Sequence, residues 1–479
     1  MKNKGARPSR KYSLYLAGCV ALLLAAAALR ILGAQNDLWL DEIWSLDLAS
    51  KVSSPLEVFT KIHHDNNHYL NTLWLYFFGQ RGNWFGYRIL SLVTGVGTVA
   101  LAGLIGRGRN RASSVLAMLL TGFSYVLVLY SSEARGFAPV VFFSFLSYYL
   151  LDRYLEKRRW QSAVLFSVSA VFGLLSHLIF LNVILAALLW SAFRLIRSRA
   201  GLGQTMIALF SCYALPLAFL AVLYFVDVRY LVIGGGTRTN LLSSYLSSLA
   251  WALGTPFTNP LKILTCIFAV TSLAAGIQML WREKSDSFLF YASAILVVPI
   301  LLAIIRHADV LYVRYFIVGI AFLLILFSFV LASLYYRGPY GKAVCFVVLT
   351  CYLIANGLHL ASLFKYGRGH YRDAIRFLVE HSKDPVVTIG SDHDFRIPIV
   401  LRFYLWDSMG ERSARYYEQG SWPATGLEWI ILHKQSAEEA EPPPRQFVDR
   451  TGHRYELAAT FPTAPLSGLH WFVYHNTAR

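Results

Sequence analysis

Runs of about 20 apolar residues recur along the first three-quarters of the chain, separated by short polar connectors. That spacing is the signature of helices that cross a bilayer. The first run covers 12–33, and others follow at 87–106, 112–130, 136–151, 161–176, 205–225, 260–281 and 343–363. Three more end at RLIRSR (194–199), at Ile305 and before YYRGPYGK, so the pattern predicts about eleven spans. One apolar stretch is too short to cross: YLNTLWLYFF (69–78). Its Trp and Tyr content predicts a helix lying in the membrane interface, with a short crossing as the alternative. From 365 onward the period changes. YRDAIRFLVEHS and FRIPIVLRFYLW read as helices, and PVVTIGS, EWIILHK, YELAATF and HWFVYHN read as strands, interrupted by the solvated loop EEAEPPPR (438–445).

Composition agrees with this division. The chain of 479 residues is 56% hydrophobic and 15% charged, against about 25% charged in an average soluble domain. A net charge of +17 would suit a nucleic-acid binder, but the basic residues come as clusters between apolar runs. They mark membrane topology instead, and no nucleic acid is expected as a partner. With the basic N-terminus cytoplasmic, GRGRNR, DRYLEKRR and RLIRSR also fall on the cytoplasmic side, whereas 34–86 and 226–256 become extracytoplasmic loops. The first run exceeds the apolar core of a cleaved signal peptide and reads as a retained helix. The expected organisation is a polytopic α-helical membrane domain over 1–364 and a small extracytoplasmic α/β domain over 365–479. The five cysteines all lie within apolar runs, which excludes a disulfide framework or a zinc-finger spacing. Gly234, Gly235 and Gly236 read as a hinge or as a plain connector.

This topology collects ionisable residues at one face: Asp41, Glu42, His63, His64, Asp65, His68, Glu133, Arg135, His177, Arg306, His307, Asp309 and Arg314. Ionisable groups at the edge of a bilayer lose hydration and point to function. Asp41 and Glu42 are neighbours, so on a helix they point about 100° apart and cannot share one role. One suits a general base and the other suits holding the helix; both capping a helix is the bland alternative. HHDNNH (63–68) offers metal-ligand residue types without a specific zinc spacing. It reads as the polar lining of a sugar pocket, with a divalent metal left open and no other cofactor required. Arg135 and Arg314 present planar donors suited to a phosphate, although Glu133 and Arg135 also suit a plain ion pair. His177 serves either as an interfacial residue or as part of the site. A transporter or flippase for a lipid-linked sugar is the rival class, but it calls for ionisable residues near the bilayer midplane.

The order WLDE, an N-x-H-like turn before an aromatic interfacial helix, SSEARG, SHLIF and VRYF resembles the GT-C glycosyltransferases. Within them it is similar to the branch of protein O-mannosyltransferases and the lipid A aminoarabinose transferase, and most of all to rhizobial lipopolysaccharide galacturonosyltransferases. The likeness covers most of 14–335. It implies a polyprenyl-phosphate-linked sugar donor, an inverting displacement at the outer face of the inner (plasma) membrane, and a hydroxyl acceptor on a cell-envelope glycan, lipid or protein. By resemblance Asp41 matches the general base and Glu42 its acidic neighbour. His68 matches the histidine before the interfacial helix, Glu133 and Arg135 the polar motif at the third span, and Arg314 the arginine near the donor phosphate. Asp65 and His177 join them as substrate-binding candidates. Relatives usually carry a proline after the histidine, where this chain reads HYLNT.

Overall fold

The computed structural model describes residues 10–79, 84–199, 201–236, 238–255, 259–307, 309–408, 413–435 and 443–478. The basic stretch 1–9 and positions 438–442 of the acidic, proline-rich loop lie outside the described residues. The chain forms two compact units. The first comprises Met1–Leu32 and Ala49–Gly357; the second comprises Gly33–Leu48 and Leu358–Arg479. The second unit therefore takes in a piece of the first long loop as well as the α/β region.

In the first unit each of the stretches expected to span is helical. Among the described residues, eight helices are long and apolar enough to cross a membrane, or nine if a bent pair counts as one span. The short aromatic stretch forms the helix Tyr69–Phe78, whose ten residues reach only about 15 Å at the usual rise. A further helix, Leu241–Ala252, lies in the second long loop, which the apolar pattern marks only as a connector. The helix Ile317–Tyr335 is apolar all round, as a central helix must be. Its most apolar window is 83% buried, against 17% for Tyr12–Gly33.

The bent pair sets the direction of the turn after it. Arg111–Phe123 and Tyr125–Ser131 meet at 61°, with Ser124 extended (φ −62°, ψ 121°) and capping the second helix through Leu127 N–H. A break inside a bilayer leaves backbone groups without water, and they need protein partners. Arg30, fully buried in the first helix, donates from Nη1 to Gly122 O (3.1 Å) and from Nη2 to Thr121 O (3.2 Å). From the other side Tyr352 donates to Leu120 O (2.6 Å), and Asn356 Oδ1 accepts from Tyr125 N–H (2.8 Å). Gly95 makes room for this arrangement: a Cβ there would lie 2.3 Å from Ser131 Cβ and 3.1 Å from Arg30 Nε. The break aims the turn 132–136 away from the axis of the preceding helix.

The second unit is built on a six-stranded sheet of order β2-β1-β3-β6-β5-β4. The strands are β1 (Val386–Ser391), β2 (Ser413–Tyr416), β3 (Trp429–Lys434), β4 (Gln446–Val448), β5 (Arg454–Phe461) and β6 (His470–Asn476). β1 pairs parallel with β2 and β3, and the remaining pairs are antiparallel. Leu427, Ile430, Tyr455 and Tyr474 form a core on the sheet. The four expected strands and two expected helices are present. The short edge strands β2 and β4 have too few residues for an alternation to be read.

Gly33–Leu48 is held within this unit by specific bonds. Arg368 Nη1 donates to Gly33 O (3.1 Å) and Tyr404 OH to Leu38 O (2.8 Å). Trp44 meets Phe395 edge to face at 5.1 Å. Asp37 Oδ2 accepts from Arg372 N–H (3.0 Å), at the first turn of the helix Tyr371–His381, whose own preceding residue, His370, makes no side-chain cap. Asp37 thus caps a helix that begins more than 300 positions later in the chain.

Candidate active site

The turn after the break carries Glu133, Arg135 and Gly136, and it meets the HHDNNH stretch within the first unit. Arg135 is 4% exposed and donates from Nη2 to Asn66 Oδ1 (2.7 Å), while Asn71 Nδ2 donates to Ala134 O (2.8 Å). His68 accepts Gly136 N–H at Nδ1 (2.9 Å). The approach is close enough to require glycine. A Cβ on Gly136 would stand 1.9 Å from Ser176 O and 2.9 Å from His68 Cβ. His177 comes directly after Ser176 in an extended conformation and accepts Ile179 N–H at Nδ1 (3.1 Å).

These residues share one platform. The buried ring of Phe137 lies 5.3 Å from His68 and 5.0 Å from His177, and the two imidazoles are 4.6 Å apart. The Arg135 guanidinium sits 4.9 Å from the same Phe137 ring. Arg314, in the turn Val313–Phe316, stacks on Tyr312 at 4.6 Å. Burial lowers both imidazoles first; neighbouring positive charge follows, from His177, Arg135 and Arg314 for His68, which ends well below the ordinary range, and from Arg135 and Arg314 for His177, pushed down to about 3. Burial works to raise the Asp65 carboxyl. His64, the Gly234 N–H and Arg135 together outweigh it, so Asp65 ends below the usual range. Arg135 thus acts on Asp65, His68 and His177 alike, and buried Glu133 lies in the same turn as Arg135.

The remaining polar residues of HHDNNH build the walls. His63 Nδ1 is 2.5 Å from Asp227 Oδ1, and Tyr69 OH donates to Asp227 Oδ2 (2.5 Å). Asp227 is fully buried at the end of the helix Leu202–Val226. The backbone of 63–65 pairs with Val232 through His63 O and Asp65 N–H. Asn67 Nδ2 ties the stretch to Val58 O and Ile62 O. Among the described residues, no group of three or more His, Cys, Asp and Glu side chains is arranged to hold a metal ion. Sequence reasoning does not single out Asp227. Its one sequence signal is a carboxylate placed directly after an apolar span. Arg306 and His307 are exposed at a helix end, and Asp309 engages Thr239 and Arg238.

Asp41 and Glu42 belong to the second unit, in the first turn of the helix Leu40–Ser50. Glu42 is 1% exposed, and its Oε2 accepts from Trp39 N–H at 3.4 Å. That contact is the return half of a capping box. Asp41 is half-buried, and its carbonyl accepts from Ser45 Oγ (2.8 Å). Of the two acids, Glu42 holds the helix start.

No protein-family model matches the sequence, and no curated protein matches it. Solved structures do. ArnT from Cupriavidus metallidurans bound to undecaprenyl phosphate aligns with a TM-score of 0.53 at 11% identity, covering 98% of this chain and 99% of that one. The same protein in the apo state gives 0.54 at 12% identity, over 97% and 98%. The fold is of the GT-C type. This is the fold implied by the sequence resemblance, and near-complete coverage of both chains extends it through the C-terminal sheet. The archaeal oligosaccharyltransferase AglB from Archaeoglobus fulgidus, in complex with an inhibitory peptide and a dolichol-phosphate, matches at 0.47 and 12% identity, over 89% of this chain and 70% of that one. The eight helices long and apolar enough to cross a membrane among the described residues make this a multi-pass membrane protein.

Proposed function

We propose that the protein is an inverting glycosyltransferase that moves a sugar from a polyprenyl-phosphate carrier to a hydroxyl of a cell-envelope acceptor. One observation carries the reading: Arg135, His68 and His177, from distant segments, gather on the one buried ring of Phe137, at 4.9, 5.3 and 5.0 Å. An anion bearing only acceptor oxygens suits such a cluster. The reading is supported by the GT-C fold and by an ArnT structure that holds undecaprenyl phosphate.

In this reaction Asp41 accepts the proton of the acceptor hydroxyl as its oxygen attacks the anomeric carbon from the face opposite the phosphate. The C–O bond to phosphate breaks, its electron pair leaves with the lipid phosphate, and the anomeric centre inverts. Arg135 and Arg314 stabilise the charge gathering on that phosphate. Glu42 keeps Asp41 at the helix start, and Asp65, Glu133 and their neighbours line the sugar site. The site faces the extracytoplasmic side, because the basic connectors 107–111, 152–159 and 194–199 claim the other side. The resemblance of the motif order to lipopolysaccharide galacturonosyltransferases makes a uronic acid the first sugar we would assay, with lipid A or core glycan as acceptor. A divalent metal is an open part of the proposal and is tested by chelation in the same assay.

Purified protein supplied with polyprenyl-phosphate sugars is expected to transfer label to acceptor. Asp41→Asn should lose about 10²–10⁴-fold in turnover, the scale of a general base, while still binding donor. Arg135→Ala and Arg314→Ala should each cost about 2.7–4 kcal/mol in the transition state, as for a lost oxyanion donor. Full activity in Asp41→Asn would remove Asp41 as the base, and unchanged kinetics in both arginine variants would remove the phosphate assignment.

A further inference from the structure

The two imidazoles reveal where their protons are. A ring nitrogen that accepts a hydrogen bond carries no proton, so a neutral ring bonded in this way is protonated on the other nitrogen. His68 Nδ1 accepts Gly136 N–H (2.9 Å) and His177 Nδ1 accepts Ile179 N–H (3.1 Å). Each ring therefore presents an Nε2–H donor. That of His68, a residue 3% exposed, is buried without a hydrogen-bond partner among the described residues. An orphaned buried donor costs about 1–3 kcal/mol, and in a folded protein it calls for an explanation such as a ligand.

The surroundings specify the ligand. The rings lie 4.6 Å apart, both against Phe137, which also carries the Arg135 guanidinium. The charged groups that act on the pair are Arg135, Arg314 and Asp65. The first two repel a third cation. Burial, then His177 for His68, and then these arginines for both favour the neutral rings. Asp65, the only carboxylate among these groups, is itself engaged at 2.9 Å from His64 Nδ1.

We propose that His68 and His177 act as a pair of neutral donors, each giving Nε2–H to a phosphate oxygen beside Arg135 and Arg314, and that neither moves a proton. The identity of that phosphate as a lipid-carrier headgroup rests on the transferase reading; the donor pair itself does not. A neutral donor adds a hydrogen bond to the cradle without adding charge.

The test uses full-length protein labelled with ¹⁵N-histidine in lipid nanodiscs. Ring-nitrogen shifts are read at pH 6 and pH 8, before and after adding undecaprenyl phosphate or inorganic phosphate. Both rings are expected as Nε2–H tautomers at both pH values, with the Nε2–H signals moving when phosphate binds. His68→Ala should weaken undecaprenyl phosphate binding about tenfold, the scale of one hydrogen bond to a charged group. His68→Gln, whose amide NH₂ restores a donor, should recover most of that loss; the same comparison at His177 guards against a misfolded variant. Movement with inorganic phosphate but not the lipid would keep the donor pair and remove the lipid-carrier reading. A proton on Nδ1, a doubly protonated ring at pH 6, no movement with either phosphate, or Gln variants as weak as Ala variants would overturn the proposal.

Discussion

Gly136 shows how much of the site depends on a single missing methyl group. The turn must pass close enough to the chain at Ser176 for His68 to take the Gly136 N–H, and a Cβ would meet Ser176 O at 1.9 Å. Backbone atoms cannot step aside as a flexible side chain can. Gly136→Ala is therefore expected to cost about 1–3 kcal/mol or more through overpacking. It should also free His68 Nδ1, visible as a lowered thermal midpoint in detergent together with a changed His68 ring-nitrogen signal. A variant with unchanged midpoint and ring signal would show that the turn has slack. Nothing in SSEARG identifies which glycine contact matters, because the clash is with a segment 40 positions later. The residue types of the site are legible in sequence: acids, histidines and arginines at span ends. Their pairings are not, and Asp227 escapes notice because a lone carboxylate after a span is unremarkable until His63 and Tyr69 are seen to close on it.

At the scale of elements, the break at Ser124 is the feature that hydropathy hides. The stretch 112–130 is mostly apolar, carries no charge and contains no proline, so it reads as one straight span. The structure bends it by 61°, and the bend exists because Arg30, Tyr352 and Asn356 satisfy the backbone groups it exposes. Those partners lie 91 to 232 positions away in the chain. Arg30→Gln shortens the donor and removes its fork. We expect a loss of about 1–3 kcal/mol for each carbonyl left without a partner, measured as a lower unfolding midpoint in detergent, with weaker donor use arising from a displaced Arg135. An unchanged midpoint would mean that water reaches the break and replaces the guanidinium. The short edge strands β2 and β4 are likewise illegible in sequence, since pairing with longer neighbours stabilises them more than their own patterning does.

For the whole molecule, the division into units does not follow the order of the chain. Hydropathy separates 1–364 from 365–479, but Gly33–Leu48, with Asp41 and Glu42, clusters with the C-terminal sheet. The C-terminal region thus packs with Gly33–Leu48 through Arg368, Tyr404 and Phe395. Asp37→Ala removes the cap on Arg372 N–H and the ion pair with Arg372, at about 1 kcal/mol for a lost cap. Hydrogen exchange is expected to quicken about fivefold both at 38–43 and at 372–375. Faster exchange confined to one of the two segments would show that they do not open together.

The sequence by itself determined the local, one-dimensional properties. Apolar run length fixed the helices, the basic connectors set a consistent topology, the alternating residues marked the main strands, and the order of polar motifs pointed to the GT-C fold. Each depends on neighbours within a few turns, which is the range over which periodicity and charge can be read. Tertiary structure alone decided where the third span breaks and which unit holds Asp41. Those outcomes depend on satisfying buried polar groups with partners hundreds of positions away, a constraint that no window along the chain contains.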